Sequence, residues 1–539
     1  MRSGILLFLL IIYTQSFAQE HFEMKQIIEN HDLADPWEIL YGPDNWLWIT
    51  QRTSKTIVRI DPQTGNRDYL VGIASAYQAS TQDGLLGMTL HPDLGKGLDN
   101  DYVYVSHSYF DEMRKQKLVR YTYTLNGADG SLGDPVDLLT DLPASNDHNS
   151  GRLKFGSDDK LYYTIGDQGK NQFDNVCLEI MAQALPTQQE VDNQDWHTYQ
   201  GKVLRLNTDG SIPDDNPIID GVASHVYSYG HRNPQGLVFA ADGTLFSAEH
   251  GPKSDDELNR IVAGKNYGWP HVAGYQDDQA YAYCNWSSAD NCGGFDDYSC
   301  PISAEITEES EWSHDDFMPP IKTFYTVEDD YDFIDQSCDV KFICWPTVAP
   351  SSIDIYENTE GVPGWGRSVL IVSLKLGRVF RQPIDEQGNA VGEAMEYWDT
   401  QNRYRDMAVH PNGQEFYVIT DNRGQTSGPS SSNTDDLENP GTILHFKYRE
   451  FALTTDETPV DTQMMQIHPN PAYDKANITF SSTINGLSKE IKILSLQGKT
   501  LYHQEDIFAK YESPCLKPGV YLVQLEVGGV VQTERLVVR

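Results

Sequence analysis

One pattern recurs along the chain and constrains its fold more than any other feature. A turn rich in Gly, Pro, Asp or Asn is followed by an aromatic-rich strand, a second turn and another strand, as at residues 42–45 and 46–49. Such hairpins are typical of antiparallel sheets. Six degenerate units over about 430 residues predict an all-β fold, a six-bladed β-propeller. Unrelated hairpins in a sandwich are the alternative, and the even spacing favours the propeller.

The first eighteen residues indicate export. Arg2 supplies a positive charge, residues 6–13 form a short apolar run, and residues 16–18 offer a cleavage site before Gln19. A membrane span needs about 20 apolar residues, and this run is shorter. We therefore expect a signal peptide at residues 1–18, passage through the periplasm, and a mature protein that is secreted or held at the cell surface without a membrane span.

The remaining chain divides by its patterning. Hairpin units occupy residues 19–450, and the polar, Pro-containing stretch at 451–464 is typical of a linker. Residues 465–539 carry further alternating segments, enough for a small C-terminal β-sandwich. The sequence therefore predicts two domains joined by a linker.

The charge balance excludes one class of partner. Lys and Arg total 40 and Asp and Glu total 79, which gives a formal net charge of −39. A chain this acidic repels the phosphates of nucleic acid and the head groups of anionic lipid. We therefore expect no nucleic-acid partner.

Seven cysteines suit an oxidising destination, where disulfides are the default. Cys338 and Cys344 are close enough in sequence to close a small loop. Four others allow three pairings among themselves: Cys177, Cys284, Cys292 and Cys300. A zinc site is the rival interpretation, but the spacings lack the usual paired short knuckles.

Several common catalytic motifs are missing, and polar loops take their place. The chain has no Gly-x-Gly-x-x-Gly, no Walker loop, no Gly-x-Ser-x-Gly and no His-Glu-x-x-His. In a propeller, loops of successive blades converge at the mouth of the central channel, where they could build one site from a base, several cations and carboxylate oxygens. Five polar loops are candidates: residues 147–152, 166–172, 230–236, 251–257 and 402–406.

Residues 25–448 resemble the soluble quinoprotein glucose dehydrogenases, the PQQ-dependent aldose dehydrogenases. The resemblance is carried by long ordered stretches: residues 82–87, 147–153, 162–172, 201–207, 230–236, 251–257, 266–270, 343–350 and 402–406. It implies oxidation of the anomeric carbon of an aldose to a lactone, with PQQ and Ca²⁺ as cofactors and an external electron acceptor. The sequence does not identify the electron acceptor, and it does not decide whether the protein forms a homodimer.

The resemblance also implies residue roles. His148 matches the catalytic base, Asp167 the carboxylate that orients it, and Arg232 the cation beside the reactive quinone carbonyl. Further positions match the PQQ site: Arg232, Asn233, Thr347, Lys375, Arg403 and Arg405. Others match the sugar pocket: Gln82, Asp147, Gln172, Phe342 and Trp345. The carbonyls of Gly251 and Pro252 match the ligands of the calcium that bridges to PQQ. The last group resembles ligands of additional, structural calcium: Glu257, Tyr267, Asp277 and Glu309.

These roles suit the chemistry. Three carboxylates on PQQ call for Arg and Lys, and hard oxygen ligands suit Ca²⁺. Two departures lie near the sugar pocket: Phe342 stands where the family commonly has Tyr, in a Cys338–Cys344 loop that is one residue shorter, and Phe173 stands where an aliphatic residue is expected. They bear on substrate preference more than on cofactor use.

The tail resembles a different family. Residues 469–471, 496–499 and 517–523 match the C-terminal sorting domains of type IX secretion cargo, which implies a secretion machinery as partner. A carbohydrate-binding β-sandwich is the rival for this segment. For the propeller, the rivals are a non-enzymatic sugar- or protein-binding domain and a calcium-dependent lactonase-type enzyme. The latter would not need the cations Lys375, Arg403 and Arg405.

Overall fold

The computed structural model describes residues 22–293, 300–333, 344–375, 377–424, 436–449, 464–481, 489–495, 499–504, 507, 510–527 and 530–539. The expected signal peptide, all but the last residue of the expected linker, Cys338 and Phe342 lie outside these residues. The chain divides into two compact units, Met1–Glu450 and Phe451–Arg539. Among the described residues, no helix is long and apolar enough to cross a membrane.

The described residues of the first unit form six four-stranded antiparallel sheets. The first strand, β1 (Phe22–Gln26), belongs to the last sheet. Sheet 1 contains β2 (Pro36–Tyr41), β3 (Leu47–Gln51), β4 (Thr56–Ile60) and β5 (Arg67–Gly72). Sheet 2 contains β6 (Leu85–Leu90), β7 (Tyr102–Asp111), β8 (Met113–Asn126) and β9 (Asp129–Pro143). Sheet 3 contains β10 (Leu153–Phe155), β11 (Leu161–Ile165), β12 (Lys202–Leu206) and, after the hairpin of β13 (Ile218–Ile219) and β14 (Val222–Ala223), β15 (Val226–Tyr229).

The other three sheets repeat this arrangement. Sheet 4 contains β16 (Pro234–Phe239), β17 (Leu245–Glu249), β18 (Asp256–Ile261) and, after the hairpin of β19 (Ala282–Asn285) and β20 (Glu305–Glu308), β21 (Lys322–Phe324). Sheet 5 contains β22 (Pro350–Tyr356), β23 (Ser368–Ser373), β24 (Val379–Pro383) and β25 (Met395–Tyr397). Sheet 6 contains β26 (Tyr404–Val409), β27 (Glu415–Thr420), β28 (Ile443–Tyr448) and β1. The described helical pieces are short: α1 (Gln188–Asp192) and single turns at Phe173–Asn175, Trp286–Ser288 and Glu309–Glu311.

The first strands of the six sheets follow one another in a closed ring. Each contacts the first strand of the next sheet, and β26 contacts β2. Pairing of β1 with β28, with Phe22 opposite Tyr448, joins the start of the unit to its end. A shift of register recurs near the start of five of these strands, β2, β6, β16, β22 and β26. The repetition shows that one hairpin-based unit is used six times in the described residues.

Local chemistry explains the turns and the packing. In the turn before β3, the Asp44 carboxylate accepts the N–H of Trp46 at 3.3 Å, and Asn45 adopts a left-handed φ of 62° that asparagine tolerates. Apolar and aromatic side chains then fill the space between sheets; Tyr104 of sheet 2 packs in one buried cluster with Tyr163 of sheet 3. Because neighbouring sheets cover both faces of each inner strand, these strands are buried on both sides.

One arginine ties the ring together. Arg152 is fully buried, and its Nη1 donates to Glu38 of sheet 1 at 2.6 Å and to Asp406 of sheet 6 at 3.1 Å. Its Nε donates to the carbonyl of Gln235 in sheet 4 at 2.9 Å, and its Nη2 to that of Ser351 in sheet 5 at 3.0 Å. A buried guanidinium needs this many acceptors to offset its desolvation. It therefore joins the starts of five sheets from its own position at the end of the 147–152 loop.

The second unit is also all-β in its described residues. One sheet contains β29 (Met465–His468), β30 (Asn477–Phe480) and, further along the chain, β33 (Tyr511–Glu512). The other contains β31 (Glu490–Ser495), β32 (Thr500–Gln504), β34 (Gly519–Val527) and β35 (Val530–Val538). Residues of both sheets, such as Ile478 and Val523, share one buried apolar cluster. This unit therefore has a core of its own.

The disulfides decide among the three pairings. Cys177 pairs with Cys292, and Cys284 pairs with Cys300. These bonds rule out zinc at the four cysteines. Cys344 is also disulfide-bonded, whereas its expected partner Cys338 lies outside the described residues.

Candidate active site

A histidine–aspartate pair lies at the centre of the site. His148 is buried, and its Nδ1 donates to Oδ1 of Asp167 at 2.7 Å. The N–H of Gly169 donates to the same oxygen at 2.9 Å, and Nε1 of Trp269 donates to Oδ2 at 2.8 Å. These contacts fix the carboxylate and place the proton of a neutral imidazole on Nδ1. The lone pair on Nε2 is thereby left to accept a proton.

Gln172 joins this pair to a cation. Its Nε2 lies 3.2 Å from Nε2 of His148 and donates to Oδ2 of Asp147 at 2.9 Å. Its Oε1 accepts from Nη2 of Arg232 at 2.8 Å. Arg232 also donates from Nη1 to the carbonyl of His250 at 3.2 Å, and its buried Nε has no hydrogen-bond partner among the described residues. The side-chain amide of Gln172 therefore contacts three other predicted residues: Asp147, His148 and Arg232.

The backbone of these loops is strained. His148, Ser150, Gln168 and Phe173 all adopt left-handed φ angles, of 42°, 53°, 69° and 42°. Side chains with a Cβ rarely populate this region, and such residues cluster at functional sites. The strain points to a geometry that the surrounding structure imposes.

His250 and Asp256 connect the segment beside Arg232 to residues at the start of sheet 5. Nε2 of His250 contacts the carbonyl of Pro350 at 2.8 Å. Asp256 accepts the N–H of Gly251 at 2.9 Å through Oδ1 and the N–H of Val348 at 2.6 Å through Oδ2. Burial raises the pKa of Asp256 to about 6, although these backbone donors oppose it. Glycine is required at 251, because a Cβ there would lie 1.8 Å from the carbonyl oxygen of residue 254.

A buried lysine stands on the sheet 5 side. Nζ of Lys375 donates to the carbonyl of Trp345 and lies 3.3 Å from Oγ1 of Thr347. Burial lowers the pKa of Lys375 to about 8, and the charge of Asp256 opposes the shift. The indole of Trp345 is almost fully buried and donates to the carbonyl of Phe333 at 3.2 Å.

Two arginines share one carboxylate at the start of sheet 6. Arg403 donates from Nε to Oδ2 of Asp421 at 3.1 Å, and Arg405 donates from Nε to Oδ1 at 2.9 Å. Burial alone would raise the pKa of Asp421, but the two guanidinium groups outweigh it and hold the pKa below its usual value. Two cations against one carboxylate leave a net positive charge.

Three further predicted site residues contact or adjoin these loops. Asn233 is buried and accepts from the hydroxyl of Ser150 at 3.0 Å. Gln82 offers its carbonyl to Nδ2 of Asn149, next to His148, at 2.9 Å, and its side chain is half-buried. Pro252 lines a small cavity together with Arg232.

Of the four residues predicted to hold structural calcium, three lie in or bind the same loop, residues 273–278. The Glu309 carboxylate accepts the N–H groups of Ala273 at 2.9 Å and Asp277 at 3.2 Å, and Glu257 accepts that of Gly274 at 2.7 Å. Two of the predicted ligands thus bind the loop that carries the third. Among the described residues, however, the only three or more His, Cys, Asp or Glu side chains with ligand atoms within 4.8 Å of one another are Glu190, Asp195 and His197.

The fourth predicted ligand, Tyr267, is engaged elsewhere. Its hydroxyl donates to the carbonyl of Arg260 at 2.6 Å and accepts the N–H of Val262 at 2.9 Å. Both partners lie at the end of β18, so this strand orients the hydroxyl, and no bond from the hydroxyl to the 273–278 loop is seen among the described residues.

Sequence reasoning missed several members of the site. Trp269 lies inside a matched stretch but carries no chemistry-bearing motif, and Asp421 and His250 belong to no cluster. One signal could have found Asp421: it follows the second strand of its sheet by one residue, much as Asp167 follows β11, the second strand of sheet 3, by two. Residues just after corresponding strands of a repeat lie at the same end of their sheets.

Comparison with known proteins gives the class of protein: an all-β dehydrogenase domain followed by a sorting domain. The chain matches the Glucose / Sorbosone dehydrogenase family over residues 33–291 and 334–427, and the secretion system C-terminal sorting domain over residues 466–539. The chain belongs to the Glucose / Sorbosone dehydrogenase family.

Individual relatives support this family assignment and the fold. The chain is 45% identical over 444 residues to quinoprotein glucose dehydrogenase B of Acinetobacter calcoaceticus, which covers 80% of this chain and 92% of that protein. The PQQ-bound aldose sugar dehydrogenase of Streptomyces coelicolor has a TM-score of 0.53 at 24% identity, over 80% of this chain and 99% of that one. The apo-form of the soluble aldose sugar dehydrogenase of Escherichia coli has a TM-score of 0.53 at 23% identity, over 80% of this chain and all of that one. These structures show a shared fold.

Proposed function

We propose that this protein is a PQQ- and calcium-dependent dehydrogenase that oxidises the anomeric carbon of aldose sugars to lactones and passes the electrons to an external acceptor. The observation that carries the proposal is the arrangement around Gln172, which joins the His148–Asp167 pair to Arg232. The 45% identical relative is a quinoprotein glucose dehydrogenase by name, and the matched region spans 80% of this chain and 92% of that protein.

The same proposal includes the fold and the domains. We take the six sheets and the closed ring of their first strands to be a six-bladed β-propeller spanning residues 19–450. Residues 465–539 form the C-terminal sorting domain, a small β-sandwich, and residues 451–464 link the two. The match of residues 466–539 to secretion sorting domains supports export through a dedicated secretion machinery, to the medium or the cell surface.

The residues present fit PQQ. Three cations that the resemblance assigns to the PQQ carboxylates are buried or nearly so: Lys375, Arg403 and Arg405. A carboxylate from a ligand would favour the ammonium form of Lys375, which burial alone disfavours. The buried Nε of Arg232 lacks an acceptor, as expected beside a quinone carbonyl that is still to bind. Thr347 and Asn233 would complete the contacts.

The residues also fit a calcium ion against the cofactor. Gly251 and Pro252 line a small cavity with Arg232, and their carbonyls are hard oxygen donors. The Asp256 bond to Gly251 N–H holds the peptide between His250 and Gly251, which directly precedes the peptide that carries the Gly251 carbonyl. Neutral carbonyls bind Ca²⁺ weakly by themselves, so oxygen and nitrogen atoms of PQQ would share the ion. A separate structural calcium would use Glu257, Asp277 and Glu309, with Tyr267 contributing only through its backbone.

Bound PQQ with its calcium supplies a carbon that accepts hydride from the sugar. His148 takes the proton of the anomeric hydroxyl at Nε2, while Asp167 holds Nδ1–H and stabilises the imidazolium. The sugar hydroxyl must displace the Gln172 amide, which now faces Nε2 at 3.2 Å. Arg232 stabilises the negative charge that develops on the cofactor oxygen. Asp147, Gln82 and Trp345, with Phe342, would bind and orient the sugar.

The rival functions make weaker use of these residues. A lactonase-type propeller has no use for the buried cations Lys375, Arg403 and Arg405, and a binding protein has no use for the oriented His148–Asp167 pair. The deciding experiment is reconstitution of the purified apoprotein with PQQ and Ca²⁺, followed by a panel of aldoses with a dye acceptor. We expect dye reduction and lactone formation with both cofactors. Lactone hydrolysis without PQQ, or sugar binding without turnover, would select a rival instead.

The tail is expected to be dispensable for catalysis. A chain ending at Tyr448, the last residue of β28, keeps all six sheets of the first unit and should keep its specific activity within about twofold. The reason is that the second unit has its own core. The measurement is dye-linked activity per mole of bound PQQ, compared with the full chain, and secretion should be lost from the truncated form. An inactive truncated protein with unchanged melting temperature would contradict the two-domain proposal.

A further inference from the structure

Trp269 contacts both halves of the catalytic arrangement. It lies in sheet 4's long connection between β18 and β21, directly after the 266–268 turn, and is 8% exposed. Its indole Nε1 donates to Oδ2 of Asp167 at 2.8 Å. Its ring faces the guanidinium of Arg232, whose Cζ lies 5.3 Å from the ring centroid. One side chain thus touches the carboxylate that orients the base and the cation that serves the cofactor.

The contact with Asp167 restrains rotation of its carboxylate by holding the second oxygen. His148 and Gly169 both donate to Oδ1, and the indole is the donor on Oδ2. A carboxylate held at one oxygen can still turn about its Cβ–Cγ bond and exchange its oxygens. Held at both oxygens, it keeps the imidazole in one plane and one tautomer, because hydrogen bonds to charged groups are the strong ones.

The contact with Arg232 is of a different kind. The guanidinium donates from Nη2 to Gln172 and from Nη1 to the carbonyl of His250. The indole face supports the guanidinium plane through a cation–π contact. The backbone of Trp269 is itself fixed. Its backbone N–H donates to the carbonyl of Gly230 at 3.0 Å, and its backbone carbonyl accepts from Nε2 of Gln183 at 2.7 Å.

We propose that Trp269 is a positioning residue with two separable functions: its indole N–H orients Asp167 and through it His148, and its ring face holds Arg232 in place for the cofactor. The inference rests on the proposed function for its catalytic consequences, but the two contacts can be tested without turnover. Substitutions separate them, because phenylalanine keeps an aromatic face and loses the N–H, whereas leucine loses both.

The test compares Trp269→Phe and Trp269→Leu with a matched control. Trp48 is also buried and donates from Nε1 to a carboxylate, Oδ1 of Asp44 at 3.0 Å, but it lies in sheet 1 away from the site. In W269F we expect kcat to fall roughly 10- to 100-fold with the sugar KM and the PQQ affinity of the apoprotein within about threefold. In W269L we expect the same loss of kcat and, in addition, PQQ affinity weakened by roughly 3- to 30-fold. W48F should change neither kcat nor affinity.

A spectroscopic readout keeps the test independent of activity. The indole N–H resonance that disappears from the apoprotein spectrum in W269F belongs to Trp269, and Asp167→Asn should shift that resonance while leaving the other nine tryptophans in place. No shift in D167N would overturn the proposal even if the wild type proved inactive with every sugar. So would a W269F enzyme with wild-type kcat, or one whose only defect is a lower melting temperature like that of W48F.

Discussion

Replacing His148 with alanine is expected to lower kcat by roughly 10²–10⁴-fold while PQQ remains bound, because general-base catalysis contributes about that much. The structural reason is the pairing of Nδ1 with Asp167 at 2.7 Å, which leaves Nε2 to take the proton of the sugar hydroxyl. The measurement is single-turnover reduction of the bound cofactor at saturating sugar, with PQQ content determined for each variant.

A matched control is available for this substitution. His197 also pairs with a carboxylate, Asp195 at 3.0 Å, but is half exposed and belongs to no catalytic loop. His197→Ala should retain full activity. If His148→Ala raised KM and left kcat unchanged, His148 would be a binding residue and the proposed base would have to be sought elsewhere.

Removing calcium is expected to abolish turnover and weaken PQQ binding together. Gly251 and Pro252 offer neutral carbonyls, so neither ion nor cofactor completes its coordination alone, and the two should bind cooperatively. Polarisation by the ion contributes several kcal/mol, so we expect at least a roughly 100-fold loss of activity after chelation. Adding back PQQ and Ca²⁺ together should restore activity, whereas either one alone should not.

The control for this experiment is a second ion. Mg²⁺ carries the same charge but demands small octahedral geometry, so it should restore much less activity than Ca²⁺. Titration of the chelated apoprotein with PQQ gives the affinity with and without each ion. Equal affinity and equal turnover in all three conditions would rule out a bridging calcium. Loss of a separate structural ion near Glu257 and Asp277 should appear only as a lower melting temperature.

The local parts of the fold were predictable from local patterns. The strand expected at residues 46–49, after the turn at 42–45, is β3, Leu47–Gln51. The all-β class, the hairpin units and the separate C-terminal unit follow from alternation and turn residues, which act over a few positions. The polar loops were predictable as candidates, because His148, Gln172 and Arg232 lie in runs of polar and charged residues between strands.

Only the tertiary structure decided which distant groups meet. β1 pairs with β28 across more than 400 residues, Cys177 pairs with Cys292, and Arg152 reaches four other sheets. No spacing in the sequence encodes such contacts, since they depend on closure of the whole ring. The same holds for Asp421 between its two arginines and for Trp269 between Asp167 and Arg232. A sequence states which side chains are available; the folded ring sets which of them lie within hydrogen-bonding distance, and that distance determines their chemistry.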